Sequence, residues 1–254
     1  MGGYLRIKNG VSMNTSKSRL PALFQWTLPG RALIFVLAAA SIWCLLSEMY
    51  GLCDMRTFTF FILTPATILL YAIAWLDRQK GDQRLWRAVV IGTLAGLVGA
   101  VAYDVFRLPF VYSHAWGMNR IGIPQMPLFK VFPRFGALIL GEPVEQSSYS
   151  FPAQIIGWAY HFSNGATFGV MFAAMIGEVK NRYGGGWIWG VVMAVGIEIC
   201  LLLSPYTSFF GLEMTSTFVA VTLIAHMIFG IGMGLYYARH AARGAGSKET
   251  IAAA

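Results

Sequence analysis

The sequence predicts an all-α membrane protein, a polytopic helical bundle that crosses the lipid bilayer about six times. Charged residues make up only 12% of the chain, about half the fraction found in soluble domains. The mean hydropathy is +0.60. Six segments are long and apolar enough to cross the hydrocarbon layer. They are residues 31–51, 57–76, 86–106, 153–176, 186–205 and 216–238.

The second span contains Pro65, which predicts a kink because proline lacks a backbone N–H. The third and fourth spans are joined by a long outer loop, residues 107–152, which contains the short apolar run 135–140 and the prolines Pro109, Pro124, Pro127, Pro133 and Pro143. A loop of this length usually carries function. It is either a lid or re-entrant segment over the bundle, or a loop that lies at the lipid headgroups.

The basic residues predict the orientation, because lysine and arginine concentrate on the cytoplasmic side of membrane proteins. Fourteen of the 19 lie on one side of the predicted spans. They are Arg6, Lys8, Lys17, Arg19, Arg31, Arg78, Lys80, Arg84, Arg87, Lys180, Arg182, Arg239, Arg243 and Lys248. This places both termini in the cytoplasm of a cell whose inner (plasma) membrane holds the chain. The domain plan is a cytoplasmic segment over 1–30, a transmembrane domain over 31–238 and a cytoplasmic tail over 239–254.

The sequence indicates partners and cofactors less directly than it indicates the fold. The basic residues that give a net charge of +8 are spread over loops, so the lipid bilayer is the predicted partner and nucleic acid is not. The sequence contains none of the usual motifs of soluble enzymes. It leaves open whether the protein is an enzyme.

The third to sixth spans predict a tandem repeat of helical hairpins. His161 is followed by Gly165 and Gly169, and His226 by Gly230 and Gly234. Each of these two helices follows a glycine-rich span that begins near a tryptophan and ends at a proline; the first of those spans contains Gly92 and Gly96. Small residues four positions apart allow helices to pack closely. The glycines are therefore predicted to form helix–helix contacts.

Four ionisable residues lie inside the last four spans, one on each: Asp104, His161, Glu198 and His226. Such residues usually face the bundle interior or a cavity. Counted from the ends of the spans, all four lie within reach of one polar site in the outer half of the membrane. Each of these residues also has a structural explanation that requires no functional site. Asp104 precedes Arg107 by three residues and can form an ion pair with it. Glu198 can be a protonated acid bonded to another helix, and the histidines can join helices by hydrogen bonds.

Two histidines with carboxylates suit a transition metal held by His161, His226 and Glu198, or a haem between the histidines. The same groups would also serve as a proton relay.

The last four spans resemble the small inner-membrane proteins of the YagU type. The resemblance rests on Gly92-Thr93-Leu94-Ala95-Gly96 with a proline at the end of that span, on a histidine-led span ending in Gly177-Glu178-Val179-Lys180, on the Trp187 span and on the glycine-rich helix from His226. It covers about 150 residues. The two N-terminal spans depart from the pattern. The resemblance implies a membrane bundle and carries no activity.

The leading hypothesis is a protein that binds or translocates a small solute, proton or metal ion through the intramembrane site. Because six helices are few for a transporter, this hypothesis includes a homodimer. One alternative is a membrane redox protein or enzyme that holds haem or a non-haem metal at the histidines. Another is an accessory subunit of a larger membrane complex, whose glycine faces dock onto other helices.

Overall fold

The computed structural model describes residues 20–177 and 185–252, and the side chains of residues 20–175 and 185–241. Several sequence predictions fall outside these residues. They are most of the cytoplasmic segment 1–30, the run Glu178-Val179-Lys180, the basic residue Arg182, and the side chains of Arg243 and Lys248.

Every regular element in the described part of the chain is helical, which confirms the predicted all-α bundle. The helices are α1 (Leu28–Met49), α2 (Met55–Lys80), α3 (Arg84–Val111), α4 (Val131–Leu140), α5 (Phe151–Phe172), α6 (Gly186–Leu203), α7 (Tyr206–Phe209) and α8 (Ser216–Ala252). Short 3-10 turns occupy Ala22–Phe24 and Met118–Ile121. Helix α8 extends beyond the predicted sixth span into the segment assigned to the tail.

Capping side chains begin several of these helices. The Thr27 and Ser150 hydroxyls accept backbone N–H groups at the starts of α1 and α5, each of which has a proline in its first turn. Asp54 caps α2 by accepting the Thr57 N–H at 2.7 Å, and this hydrogen bond lowers the pKa of the Asp54 carboxyl. Such caps satisfy N–H groups that the first helical turn leaves free.

Five described helices are long and apolar enough to span a membrane, one fewer than predicted. They are α1, α2, α3, α6 and the Ser216–Ala241 part of α8. The fourth predicted span forms α5, which has 22 residues, enough to cross the hydrocarbon layer by length. It falls short in hydropathy because it carries polar residues such as Gln154, His161 and Asn164. Helix α5 nevertheless runs antiparallel to α3 in the middle of the bundle.

The helices pack in a definite order. Helix α5 contacts α1, α3 and α4, and α8 packs between α3 and α6. Helix α2 lies at the periphery against α1 and α3 and exposes most of its apolar surface. Pro65 follows a π-helical turn, Thr59–Leu63, within α2. The π-helix is rare and occurs mostly as single turns inside α-helices, and both π turns and prolines are places where helices bend.

The predicted glycine contacts join the helices of both hairpins. A Cβ atom at Gly96 would lie 2.0 Å from the Gly165 carbonyl oxygen, and one at Gly169 would lie 2.0 Å from the Gly92 carbonyl oxygen. The same contacts recur between α6 and α8. There a Cβ at Gly190 would lie 2.3 Å from the Gly230 carbonyl oxygen. These backbones can approach so closely only because no side chain separates them.

Helix α4 is the main structure in the long loop between α3 and α5. It contains the apolar run 135–140 noted in the sequence and packs on the first half of α5. Gly157 of α5 approaches the Phe132 backbone, and Gly136 of α4 approaches the Ala153 backbone. The loop therefore folds back onto the bundle.

The glycine contacts predict different outcomes for two substitutions on α6. Gly190→Ala should lower the free energy of unfolding by about 1–3 kcal/mol, because the added methyl group collides with the α8 backbone. Gly196 has open space around its Cβ position. Gly196→Ala should therefore leave the free energy of unfolding unchanged or raise it slightly.

Unfolding of both variants by increasing SDS in mixed micelles measures this difference. Equal stability of the two variants would contradict the packing described here.

Candidate functional site

Each hairpin contains one carboxylate–histidine pair. Between α3 and α5, His161 Nε2 lies 2.9 Å from Asp104 Oδ2. Between α6 and α8, His226 Nδ1 lies 3.1 Å from Glu198 Oε2. All four side chains lie in the half of the bundle that carries α4 and α7. The structure therefore brings the four predicted residues together as two pairs.

The glycine contacts place the two pairs in equivalent positions. In α3, Asp104 stands eight residues after Gly96, and in α6 Glu198 stands eight residues after Gly190. Each histidine stands four residues before the glycine that its partner helix contacts, Gly165 or Gly230. Once the glycines fix the register of the two helices, the acid of one helix faces the histidine of the other.

Asp104 uses both of its oxygens. Oδ2 contacts His161, and Oδ1 lies 3.4 Å from the Arg107 guanidinium. The ion pair expected from the sequence is therefore present together with the interhelical histidine contact. Arg107 was counted with the outer loop, but it lies within α3 and is only 3% exposed. Its guanidinium also donates a hydrogen bond to the Leu128 carbonyl oxygen.

Glu198 has a different environment. It is 4% exposed, and its ion-pair contact is with the imidazole of His226. His226 Nδ1 also lies 3.0 Å from the Thr222 carbonyl oxygen. Because a carbonyl oxygen only accepts hydrogen bonds, we place a hydrogen on Nδ1. This leaves Nε2 as the ring nitrogen that exchanges a proton with its surroundings.

Tyr103 lies between the two pairs. Its ring centroid is 4.9 Å from that of His226 and 6.0 Å from that of His161. The Arg107 guanidinium stacks over the same ring at 4.5 Å. Neither Tyr103 nor the position of Arg107 was predicted from the sequence. The sequence did contain a signal for these two residues, because both stand within three positions of Asp104, on the turn of α3 where the site forms.

A cavity of about 570 Å³ opens beside the two pairs. His161, Glu198, His226, Tyr103 and Arg107 all line it. Asp104 contacts two of these side chains and so supports the wall of the cavity. The rest of the lining is largely apolar. A few polar groups in a concave apolar site are typical of small-molecule binding sites.

The loop between α3 and α5 forms one wall of this cavity. Residues 124–128 line it together with Val131, Phe132 and Phe135 of α4. Phe132 stacks on His161 with ring centroids 4.0 Å apart. Tyr206 of α7 also lines the cavity, and burial raises the pKa of its phenol, which keeps the hydroxyl protonated as a hydrogen-bond donor. The loop is thus part of the site.

No family model matches this chain. No curated protein and no solved structure matches it either. The resemblance to YagU-type proteins accordingly stays a prediction, and the site is interpreted from its geometry alone.

The metal hypothesis receives no support from the geometry. Within residues 20–177 and 185–252, no three histidine, cysteine, aspartate or glutamate side chains group so that they could hold a metal ion. The expected set of His161, His226 and Glu198 is divided between two pairs. All three cysteines are free thiols.

The pair geometry predicts energetic coupling between Glu198 and His226. Glu198→Gln and His226→Ala should each destabilise the protein by about 1–3 kcal/mol, because each leaves a buried partner without its contact. The double variant should be more stable than the sum of the two losses implies, by about 0.5–3 kcal/mol.

SDS unfolding of the two single variants and the double variant measures this coupling. Glu145 is an exposed glutamate in the loop, and Glu145→Gln combined with His226→Ala serves as the control. Its effects should add. Additive effects for Glu198 and His226 would show that the pair does not interact.

Proposed function

We propose that this multi-spanning membrane protein binds a small solute in the intramembrane cavity and couples its movement to a proton held by the Glu198–His226 pair. The observation that carries the proposal is that both carboxylate–histidine pairs meet at one cavity between apolar helices. Ionisable groups are costly inside a bilayer and usually mark a substrate or proton pathway.

The charges at the site favour Glu198 and His226 as the exchanging pair. Asp104 lies 3.4 Å from the permanent charge of Arg107. Among the described residues, the ion-pair contact of Glu198 is with His226 and with no lysine or arginine. The other charged groups at the site are Asp104 and Arg107 of α3, His161 of α5, and Glu213, which lines the same cavity. Tyr103 and Tyr206 add neutral hydroxyls. The charge of this pair therefore depends on whether it holds a proton.

A proton relay through the pair is chemically balanced. A proton that arrives at His226 Nε2 forms an imidazolium. The proton on Nδ1 then passes to Glu198 Oε2, which lies 3.1 Å away. The imidazole becomes neutral with its hydrogen on Nε2, and Glu198 becomes a neutral acid. Release of that proton restores the negative charge of Glu198, and return of the imidazole hydrogen from Nε2 to Nδ1 restores the hydrogen bond to the Thr222 carbonyl oxygen.

Coupling follows from the low polarity of the cavity. A charged solute interacts differently with the protonated and the deprotonated pair, so its binding shifts the proton equilibrium, and the proton shifts solute binding equally. This reciprocal effect is what a proton-coupled transporter requires.

Two other functions remain as alternatives, a metal or haem redox protein and an accessory subunit. The redox function predicts metal or colour in the purified protein that is lost in a His161→Ala, His226→Ala double variant. The accessory function predicts partner proteins that co-purify and an activity that is insensitive to these substitutions.

Proton flux tests the proposal. Liposomes containing the protein and a trapped pH-sensitive dye would receive phenylbutyrate, phenylbutylamine or phenylalanine, which represent an anion, a cation and a zwitterion. At least one should change the internal pH faster than in protein-free liposomes. Glu198→Gln should reduce that rate to the protein-free level, because glutamine holds no exchangeable proton.

Glu145→Gln is the matched control, since it makes the same change at an exposed loop position, and it should keep the wild-type rate. Absence of protein-dependent flux with all three solutes, or an unchanged rate in Glu198→Gln, would contradict proton-coupled transport.

We also propose that both termini lie in the cytoplasm of a cell with the chain in its inner (plasma) membrane. The support is the excess of basic residues on that side of the helices. Green fluorescent protein fused after Ala254 should fluoresce, and alkaline phosphatase fused after Glu145 should be active outside the cytoplasm. The opposite result from both fusions would show that the orientation is reversed.

A further inference from the structure

Arg107 is a buried cation with an unused hydrogen-bond donor. Its side chain is 4% exposed and lines the cavity. One terminal nitrogen lies near Asp104 and the other donates to the Leu128 carbonyl oxygen. Nε has no hydrogen-bond partner among the described residues. A buried N–H without a partner is costly and calls for an explanation.

The charge of Arg107 is also only partly compensated. The contact with Asp104 is long at 3.4 Å, and the other oxygen of Asp104 is engaged by His161. The rings of Tyr103, Phe129 and Phe132 lie 4.5–5.4 Å from the guanidinium carbon. These rings hold the guanidinium plane in place and exclude water from it. An arginine fixed in this way is suited to bind an oxyanion.

A second unpaired group faces the same cavity. Asn164 of α5 lines it, and its Oδ1 atom is buried without a hydrogen-bond partner among the described residues. The donor on α3 and the acceptor on α5 therefore both lack partners at one cavity. An anionic oxygen would compensate the arginine, and a hydrogen-bond donor of the same molecule or of a water molecule bound with it would satisfy the asparagine.

The remaining walls indicate the body of that molecule. Phe132 and Phe135 of α4, Phe168 of α5 and Phe218 of α8 line the cavity from three different helices. A volume of about 570 Å³ lies within the range of sites for small organic molecules. The carboxylates of Asp104 and Glu198, and that of Glu213 in the cavity lining, would repel a second negative charge, which favours a monoanion.

We propose that the cavity takes a small organic monoanion, with its carboxylate beside the Arg107 guanidinium and an apolar body against the phenylalanine rings. This inference rests on the proposed function, because it names the class of solute for the same cavity. It also implies a direction of coupling. An anion near Glu198 favours the protonated pair, so the anion and the proton would bind together.

Isothermal titration calorimetry in detergent at pH near 7 tests this class. The probes are phenylbutyrate, its neutral amide phenylbutyramide and the cation phenylbutylamine, each also titrated into protein-free micelles. Phenylbutyrate should bind at least about tenfold more tightly than the other two, which corresponds to one charge-assisted hydrogen-bond contact.

Variants of Arg107 connect this binding to the site. Arg107→Gln should abolish the preference for phenylbutyrate. Arg107→Lys should keep part of it, because lysine retains the charge but lacks the fork of donors. The double variant Asp104→Asn, Arg107→Gln removes both charges and so avoids leaving Asp104 buried without a cation. It should fold and also lack the preference. Arg120→Gln, at an exposed loop position, should bind like the wild type.

Preferential binding of phenylbutylamine, equal binding of the three probes, failure of phenylbutyrate to bind, or an unchanged preference in Arg107→Gln would each overturn the inference. The outcome is separable from that of the proposed function. Proton flux driven by phenylbutylamine or phenylalanine and lost in Glu198→Gln would preserve proton coupling even if no carboxylate binds at Arg107.

Discussion

The close approach of glycine faces in the two hairpins is the constraint on which the rest of the structure depends. Gly92 and Gly96 meet Gly169 and Gly165, and Gly190 meets Gly230, with no side chain between the backbones. Such contacts leave little freedom to slide one helix along the other, because a shift would bring side chains into the narrow interface. The relative height of the helices is therefore fixed within each hairpin.

A fixed register has a chemical consequence further along the same helices. It brings Asp104 opposite His161 and Glu198 opposite His226, at distances of 2.9 and 3.1 Å. In a medium without water, polar side chains need such partners. The pairs differ in one respect, since Asp104 also contacts the permanent cation Arg107. The two pairs are thus alike in geometry and different in their electrostatic surroundings.

The cavity depends on elements beyond the repeat. Helix α4 and residues 124–128 supply one wall, and α7 contributes Tyr206. The two hairpins provide the ionisable groups, while the long loop supplies much of the apolar surface and holds Arg107 through the Leu128 carbonyl oxygen.

The sequence by itself determined the helical membrane architecture, the glycine faces and the four ionisable residues, because hydropathy and spacing along one helix are local properties. It overstated the apolar character of α5, whose His161 and Asn164 line a cavity, and it assigned Arg107 to a loop. Only the tertiary structure decided which acid pairs with which histidine, that Tyr103 lies between the pairs, and that the loop folds into a wall. Those facts depend on contacts between helices distant in the chain, and helical periodicity carries no information about the height at which two helices meet.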